Sequence, residues 1–140
     1  RWHQELQDSA IRQGVIRLPS GREFKFPNTK RAASGGATNA TKIKNYPVQS
    51  FATADLVPLC LVNLRNEIKR LGLSALIVNT VHDSVLLDCP KDEVEKVEDI
   101  LGRVLSTSSI DKMISDFYDI SMTVPLEIEH KVGRNWMEMS

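Results

Sequence analysis

Apolar positions along the chain change period several times, and each change marks an element. Trp2, Leu6, Ala10 and Ile11 recur at helical spacing, and Gly14 stops them, so the chain should open on a helix that reads as the tail of a longer one. Residues 15–18 and 23–26 read as short strands around Pro19-Ser20-Gly21-Arg22, a turn by composition. Residues 28–40 have no period and contain Ser34-Gly35-Gly36, which predicts a flexible connector. Leu56, Leu59, Cys60, Leu64, Ile68 and Leu71 then predict an amphipathic helix of about five turns, closed by Gly72. Thr53 or Asp55 is its expected cap, and Pro58 must lie in its first turn or kink it.

Residues 75–90 carry the strongest pattern. Two nearly continuous apolar, β-branched runs flank His82-Asp83-Ser84, which predicts a tight hairpin of central strands covered on at least one face. Pro90 should open the next helix, with Asp92 and Glu93 at its positive end and Val94, Val97, Leu101, Val104 and Leu105 as its buried stripe. Met113, Ile114 and Phe117 mark a shorter helix over 110–118. Residues 123–132 alternate, with Val124, Leu126, Ile128 and Val132 opposite Glu127, Glu129 and Lys131, the pattern of a half-buried strand. His130 falls on the apolar parity and reads as a packing histidine, and Trp136 as an anchor for the terminus. The expected fold class is α+β, one antiparallel β-sheet with helices packed on one face, the three best strands side by side under the long helix.

Composition narrows the class. An apolar content of 41% supports a core in one domain, and 26% charged residues argue against disorder. No apolar run nears the roughly 20 residues of a membrane span. Cys60 and Cys89 both lie in apolar stretches, which predicts buried thiols in a reducing compartment and no zinc motif, with a cytoplasmic location expected for the chain. The zero net charge hides an asymmetry: residues 1–44 hold nine Lys/Arg against three Asp/Glu, a net of +6, and the rest balances it at −6. A basic front suggests a polyanion partner, although the halves could equally neutralise each other. The first residue is Arg1 rather than Met, which suggests a fragment or a processed product.

On the residues alone, His82-Asp83-Ser84 is either a polar turn or a rigid mount for a cation. Arg17, Arg22 and Lys25 on the first hairpin could hold phosphates or simply be solvated. Asn45 and Gln49 precede the predicted helix body and could reach a groove or cap the helix.

Two motifs in order change this balance. Asn45-Tyr46-Pro47-Val48-Gln49, followed about thirty residues later by a strand ending in Val81-His82-Asp83, resembles the C-terminal half of the polymerase domain in family A DNA polymerases, the DNA polymerase I type, with a phage flavour. Gly21-Arg22, Cys89-Pro90-Lys91-Asp92-Glu93-Val94, Val124-Pro125-Leu126-Glu127-Ile128 and Gly133-Arg134-Asn135-Trp136 resemble other pieces of that family in the same order. The resemblance implies a partial palm, with residues 1–14 ending a helix from the fingers and 15–140 forming palm. It implies that Asp83 is one of two aspartates holding two catalytic Mg²⁺ ions, the other lying outside this chain. It further implies His82 near the primer terminus, Asn45 and Gln49 at the duplex minor groove, and Arg22 as a backbone contact. The implied partners are primer-template DNA, dNTP and the remainder of the polymerase.

Two departures qualify the match. Ser84 stands where the family usually has Glu, and one extra residue, with Phe51 in the added space, separates Gln49 from Asp55. The alternative readings are a nucleic-acid-binding module without catalysis, and a stand-alone phosphoesterase using His82, Asp83 and Asp88. The last is disfavoured because an extended strand would put Asp88 roughly 16 Å from Asp83.

Overall fold

A computed structural model describes residues 1–126 and 128–139. They form two compact units: residues 1–58 with 117–120, and residues 59–116 with 121–139.

The first unit opens on α1 (Trp2–Gln13), which ends where Gly14 takes a left-handed φ of 67° and donates its N–H to the Ala10 carbonyl. That conformation is free of penalty only without a Cβ. Strands β1 (Val15–Arg17) and β2 (Glu23–Lys25) pair antiparallel as the pattern predicts, with Ile16 opposite Phe24. Ala10, Ile16, Phe26, Ala37 and Ile43 form the buried core of the unit. The presumed flexible connector is in fact pinned. The buried Gln7 accepts the Ala37 N–H at 2.9 Å, and Arg31 ties the Gly35 carbonyl at 2.9 Å to the Asp8 carboxylate at 2.7 Å. Gln7 lies on a helix 30 positions away, so local composition carried no sign of this tie.

Helix α2 (Ala40–Ser50) starts well before Pro47, so Asn45 and Gln49 lie inside a helix rather than ahead of one. A proline interior to a helix removes one backbone bond. Here that loss coexists with burial of Pro47 and of Ile43, which is completely inaccessible. A π turn (Phe51–Leu56) follows, then α3 (Val57–Arg70), with Pro58 in the first turn of α3 as expected.

The second unit packs α3 and α4 (Val94–Val104) around Leu64, Ile68, Ala75, Val97, Ile100 and Val104. Strands β3 (Leu76–Val81) and β4 (Ser84–Asp88) add Ile77 and Leu87 to this cluster. A bulge at Val78 shifts their register, since Ile77 faces Leu87 while Asn79 faces Leu86. The buried stripe of α4 runs through Ile100, a residue absent from the pattern reading, with Leu101 only half-buried. Helix α5 (Thr107–Tyr118) buries Ile110 and Ile114.

The α+β class holds, but not as one sheet with three strands. The described residues form two separate two-stranded antiparallel sheets. Among the described residues strands β3 and β4 pair only with each other, and Leu76 and Val78 are 62% and 51% exposed, so the hairpin is not central among them. Apart from Glu127, which lies outside the described residues, 123–132 form no strand. Thr107 donates to the Leu126 carbonyl, a group that strand would have paired, and Asp111 accepts the N–H of Met122 just before the segment, so side chains of α5 bind its backbone and its approach. His130 is exposed and sits 3.1 Å from Glu98 instead of packing, and Trp136 is 54% exposed. Cys60 and Cys89 are free and half-buried, and burial pushes both thiols up.

Glu67 on α3 binds Arg70 at 2.9 Å and reaches Arg103 on α4 at 3.1 Å. The Arg70 hydrogen bond, more than any other contact, holds its carboxyl below the ordinary 4.5. A carboxylate lowered in the folded state stabilises above its unfolded pKa and loses that contribution as pH falls through the folded one. Acid unfolding of Glu67→Gln and wild type, followed by circular dichroism, should therefore differ most above pH 4.5 and converge only as pH falls through the lowered folded value.

Candidate functional site

The β3–β4 turn is a tight one. Val81 pairs with Ser84, so His82 and Asp83 form a two-residue loop. His82 adopts a left-handed φ of 55°, and the Ser84 hydroxyl donates to the Val81 carbonyl at 2.8 Å. At the base, the Glu93 carboxylate accepts the N–H groups of Ser74 and Ala75 at 2.8–3.2 Å. A polar tip is thus mounted on a strand pair closed at the turn and held at the root.

Asp83 is exposed and makes no hydrogen bond or ion pair among the described residues. Asp88 pairs with Leu76 at the far end of β4. No three His, Cys, Asp or Glu side chains converge among the described residues. The phosphoesterase reading therefore has no composite site within them. Asp83 is instead a single hard oxygen donor, chemically suited to Mg²⁺ but needing a second carboxylate and substrate oxygens. The backbone at His82 is unfavourable for a side chain with a Cβ, by about 1–2 kcal/mol. Replacing His82 with glycine should raise stability by up to about 1 kcal/mol, allowing for glycine's greater unfolded entropy, while impairing any role of the imidazole. Thermal melts alongside DNA-binding assays would separate the two effects.

Asn45 and Gln49 are four residues apart on α2, hence on one face, and both are exposed. Ile43 and Pro47 form the buried side of the same helix. The side-chain amides of Asn45 and Gln49 hydrogen-bond to none of the described residues. These two residues belong to the first unit and His82 and Asp83 to the second.

Arg22 is engaged inside the first unit. Its Nε and Nη2 donate to Asp55 at 3.3 and 2.8 Å, and the Ser20 hydroxyl donates to the other oxygen of the same carboxylate at 2.8 Å. The Asp55 hydrogen bond, then its charge, raises the Arg22 pKa. Asp55 is only 7% exposed. It is neither a cap nor a solvated acid, and only its coincidence with Gly21-Arg22 could have hinted at the pairing. Phe51 packs edge-on against Tyr118, ring centroids 5.8 Å apart. Burial, and secondarily the Asp55 charge, pushes the Tyr118 hydroxyl up.

Comparisons with known proteins show what the chain as a whole is similar to. A family model described as DNA polymerase family A matches residues 1–138. DNA polymerase I of Chloroflexus aurantiacus is 29% identical over 140 residues, all of this chain and 14% of that protein. The DNA polymerase of Bacillus phage SP01 is 33% identical over 137 residues, 97% of this chain and 14% of that protein. Among solved structures, the POL domain of Pol1 from M. smegmatis, in complex with DNA primer-template and dNTP, aligns with a TM-score of 0.63 at 23% identity. That match covers 90% of this chain and 20% of the other. The chain thus spans about one seventh of the curated relatives described here. No helix among the described residues is long and apolar enough to cross a membrane.

Proposed function

The chain belongs to DNA polymerase family A, and on that premise we propose that it is the C-terminal palm portion of a DNA-directed DNA polymerase. Its role is to contribute one metal-binding carboxylate and part of the primer-template grip to template-directed nucleotidyl transfer. The observation that carries the proposal is Asp83, an exposed carboxylate without a partner among the described residues, on a two-residue hairpin turn in a chain that matches the family model almost end to end.

In this reading Asp83 supplies one oxygen ligand to a two-Mg²⁺ site whose second aspartate lies outside these residues. When bound, the metals lower the pKa of the primer 3′-hydroxyl and stabilise charge on the transferred phosphoryl group and pyrophosphate. The chain's own residues orient. His82, beside Asp83, contacts the primer strand near its terminus. Asn45 and Gln49 donate from one helix face to minor-groove acceptors that every base pair shares, reporting pair geometry rather than sequence. Arg22 fixes the first hairpin through Asp55, and the guanidinium donors it does not spend there remain for a backbone phosphate. Ser84 closes the turn through the Val81 carbonyl, which leaves Asp83 as the acid of this segment.

The partners follow as primer-template DNA, dNTP and the rest of the polymerase. The chain alone should extend no primer. Combined with the polypeptide bearing the other metal aspartate, it should support Mg²⁺-dependent extension. Primer-template affinity that falls steeply with salt, with no extension even in the combined system, would favour the non-catalytic binding module instead.

A further inference from the structure

We infer that the π turn at Phe51–Leu56 is an absorbed one-residue insertion that makes Asp55 the positioning residue for the Asn45–Gln49 face. The bond pattern shows one residue more per turn here than an α-helix holds. The N–H of Val57 donates to the carbonyl of Ala52, five residues back instead of four. Two neighbours accommodate it. The Thr53 hydroxyl donates to the Gln49 carbonyl at 2.7 Å, and Pro58 has no N–H to offer the preceding turn.

The register arithmetic shows what the insertion does. At about 100° per residue, the twelve positions from Ile43 to Asp55 would put Asp55 about 120° from Ile43 in an unbroken α-helix. With one residue absorbed the offset falls to about 20°, so Asp55 joins Ile43 and Pro47 on the buried face. That is where it is found, buried and held by Ser20 and Arg22. Asn45 and Gln49 lie about half a turn away from that stripe. A carboxylate locked to the β1–β2 turn therefore fixes the rotation of the helix that carries them. If the helix ran without the π turn at the same length, either the Asp55 latch would open or α2 would rotate by about 100° and carry both amides with it. The π turn thus leaves the amide face where a continuous helix one residue shorter would put it.

The positioning role rests on the polymerase reading, whereas the register itself does not, and the experiment separates them. In the complete polymerase carrying this chain, three variants are compared: deletion of Phe51, Asp55→Asn, and insertion of one alanine after Ala52. Coupling between Arg22 and Asp55 is read by a double-mutant cycle on thermal unfolding. Discrimination between matched and mismatched primer termini is read as the ratio of kcat/KM values. Deletion of Phe51 should preserve the Arg22–Asp55 coupling and keep discrimination within about threefold of wild type, because an absorbed residue can be removed without turning either flank. Asp55→Asn and the alanine insertion should lower discrimination to the level of Gln49→Ala, and Asp55→Asn combined with Gln49→Ala should be no worse than either alone. Failure of the Phe51 deletion to fold, loss of the coupling in it, or wild-type discrimination in Asp55→Asn would overturn the inference. If Gln49→Ala itself leaves discrimination unchanged, the minor-groove assignment fails, and the coupling in the Phe51 deletion still decides the register.

Discussion

Asp83→Ala in the complete polymerase should lower Mg²⁺-dependent primer extension by at least about a hundredfold while leaving primer-template affinity nearly unchanged. Groups that merely orient metal ligands cost about 10–100-fold when lost, so removal of a ligand itself should cost no less. The split between rate and affinity follows from the site. Asp83 has no bond to another described residue, so its removal breaks nothing in the fold. As an anion it offers a phosphate backbone no attraction. Single-turnover extension across a Mg²⁺ series, beside equilibrium binding of a primer-template, measures both. An Asp83→Ala enzyme that extends primers at the wild-type rate would remove Asp83 from the metal site. A variant that fails in binding instead would assign the hairpin to DNA contact.

The second large effect concerns what holds the hairpin up. Ile100→Ala should destabilise the protein by about 2–5 kcal/mol, the cost of lost burial plus the cavity left behind. Ile100 is 1% exposed and packs with Leu64, Ile68 and Val97, the cluster onto which Ile77 and Leu87 of the hairpin close. At about 4 °C per kcal/mol the melting temperature should fall by roughly 8–20 °C. Ile100→Val removes only one methylene and should cost about 0.5–1.5 kcal/mol. Differential scanning calorimetry of the two variants tests the ranking. Equal losses would mean that Ile100 is not the residue that fills this core.

Much of the element order was legible, because period alone separates strand from helix. The two hairpins, the helix after Pro90 and the place of Pro58 were all read from local pattern. The misreadings share a cause. Residues 123–132 alternate like a strand, yet alternation states only that one side is apolar. Whether a ladder forms depends on a partner edge, and here Thr107 and Asp111 occupy backbone groups of this segment or its approach. The connector around Gly35 looked mobile because its anchors, Gln7 and Asp8, lie on a helix far back in the chain. His130 fell on the apolar parity but answers to Glu98, 32 positions away.

By itself the sequence determined the family and the identity of the candidate site residues. Asn45, Gln49, His82 and Asp83 stand in two short motifs whose order and spacing survive without any structure, since motif chemistry needs only the right side chains along the chain. Tertiary structure decided their setting. It placed Asn45 and Gln49 within a helix, turned Asp55 from a cap into a buried latch for Arg22 and Ser20, and put His82 in a left-handed turn beside Asp83, which has no partner among the described residues. The physical reason is that rotation about a helix and pairing along a strand are set by contacts distant in sequence. One residue absorbed in a π turn moves a side chain by about 100° without altering any local propensity.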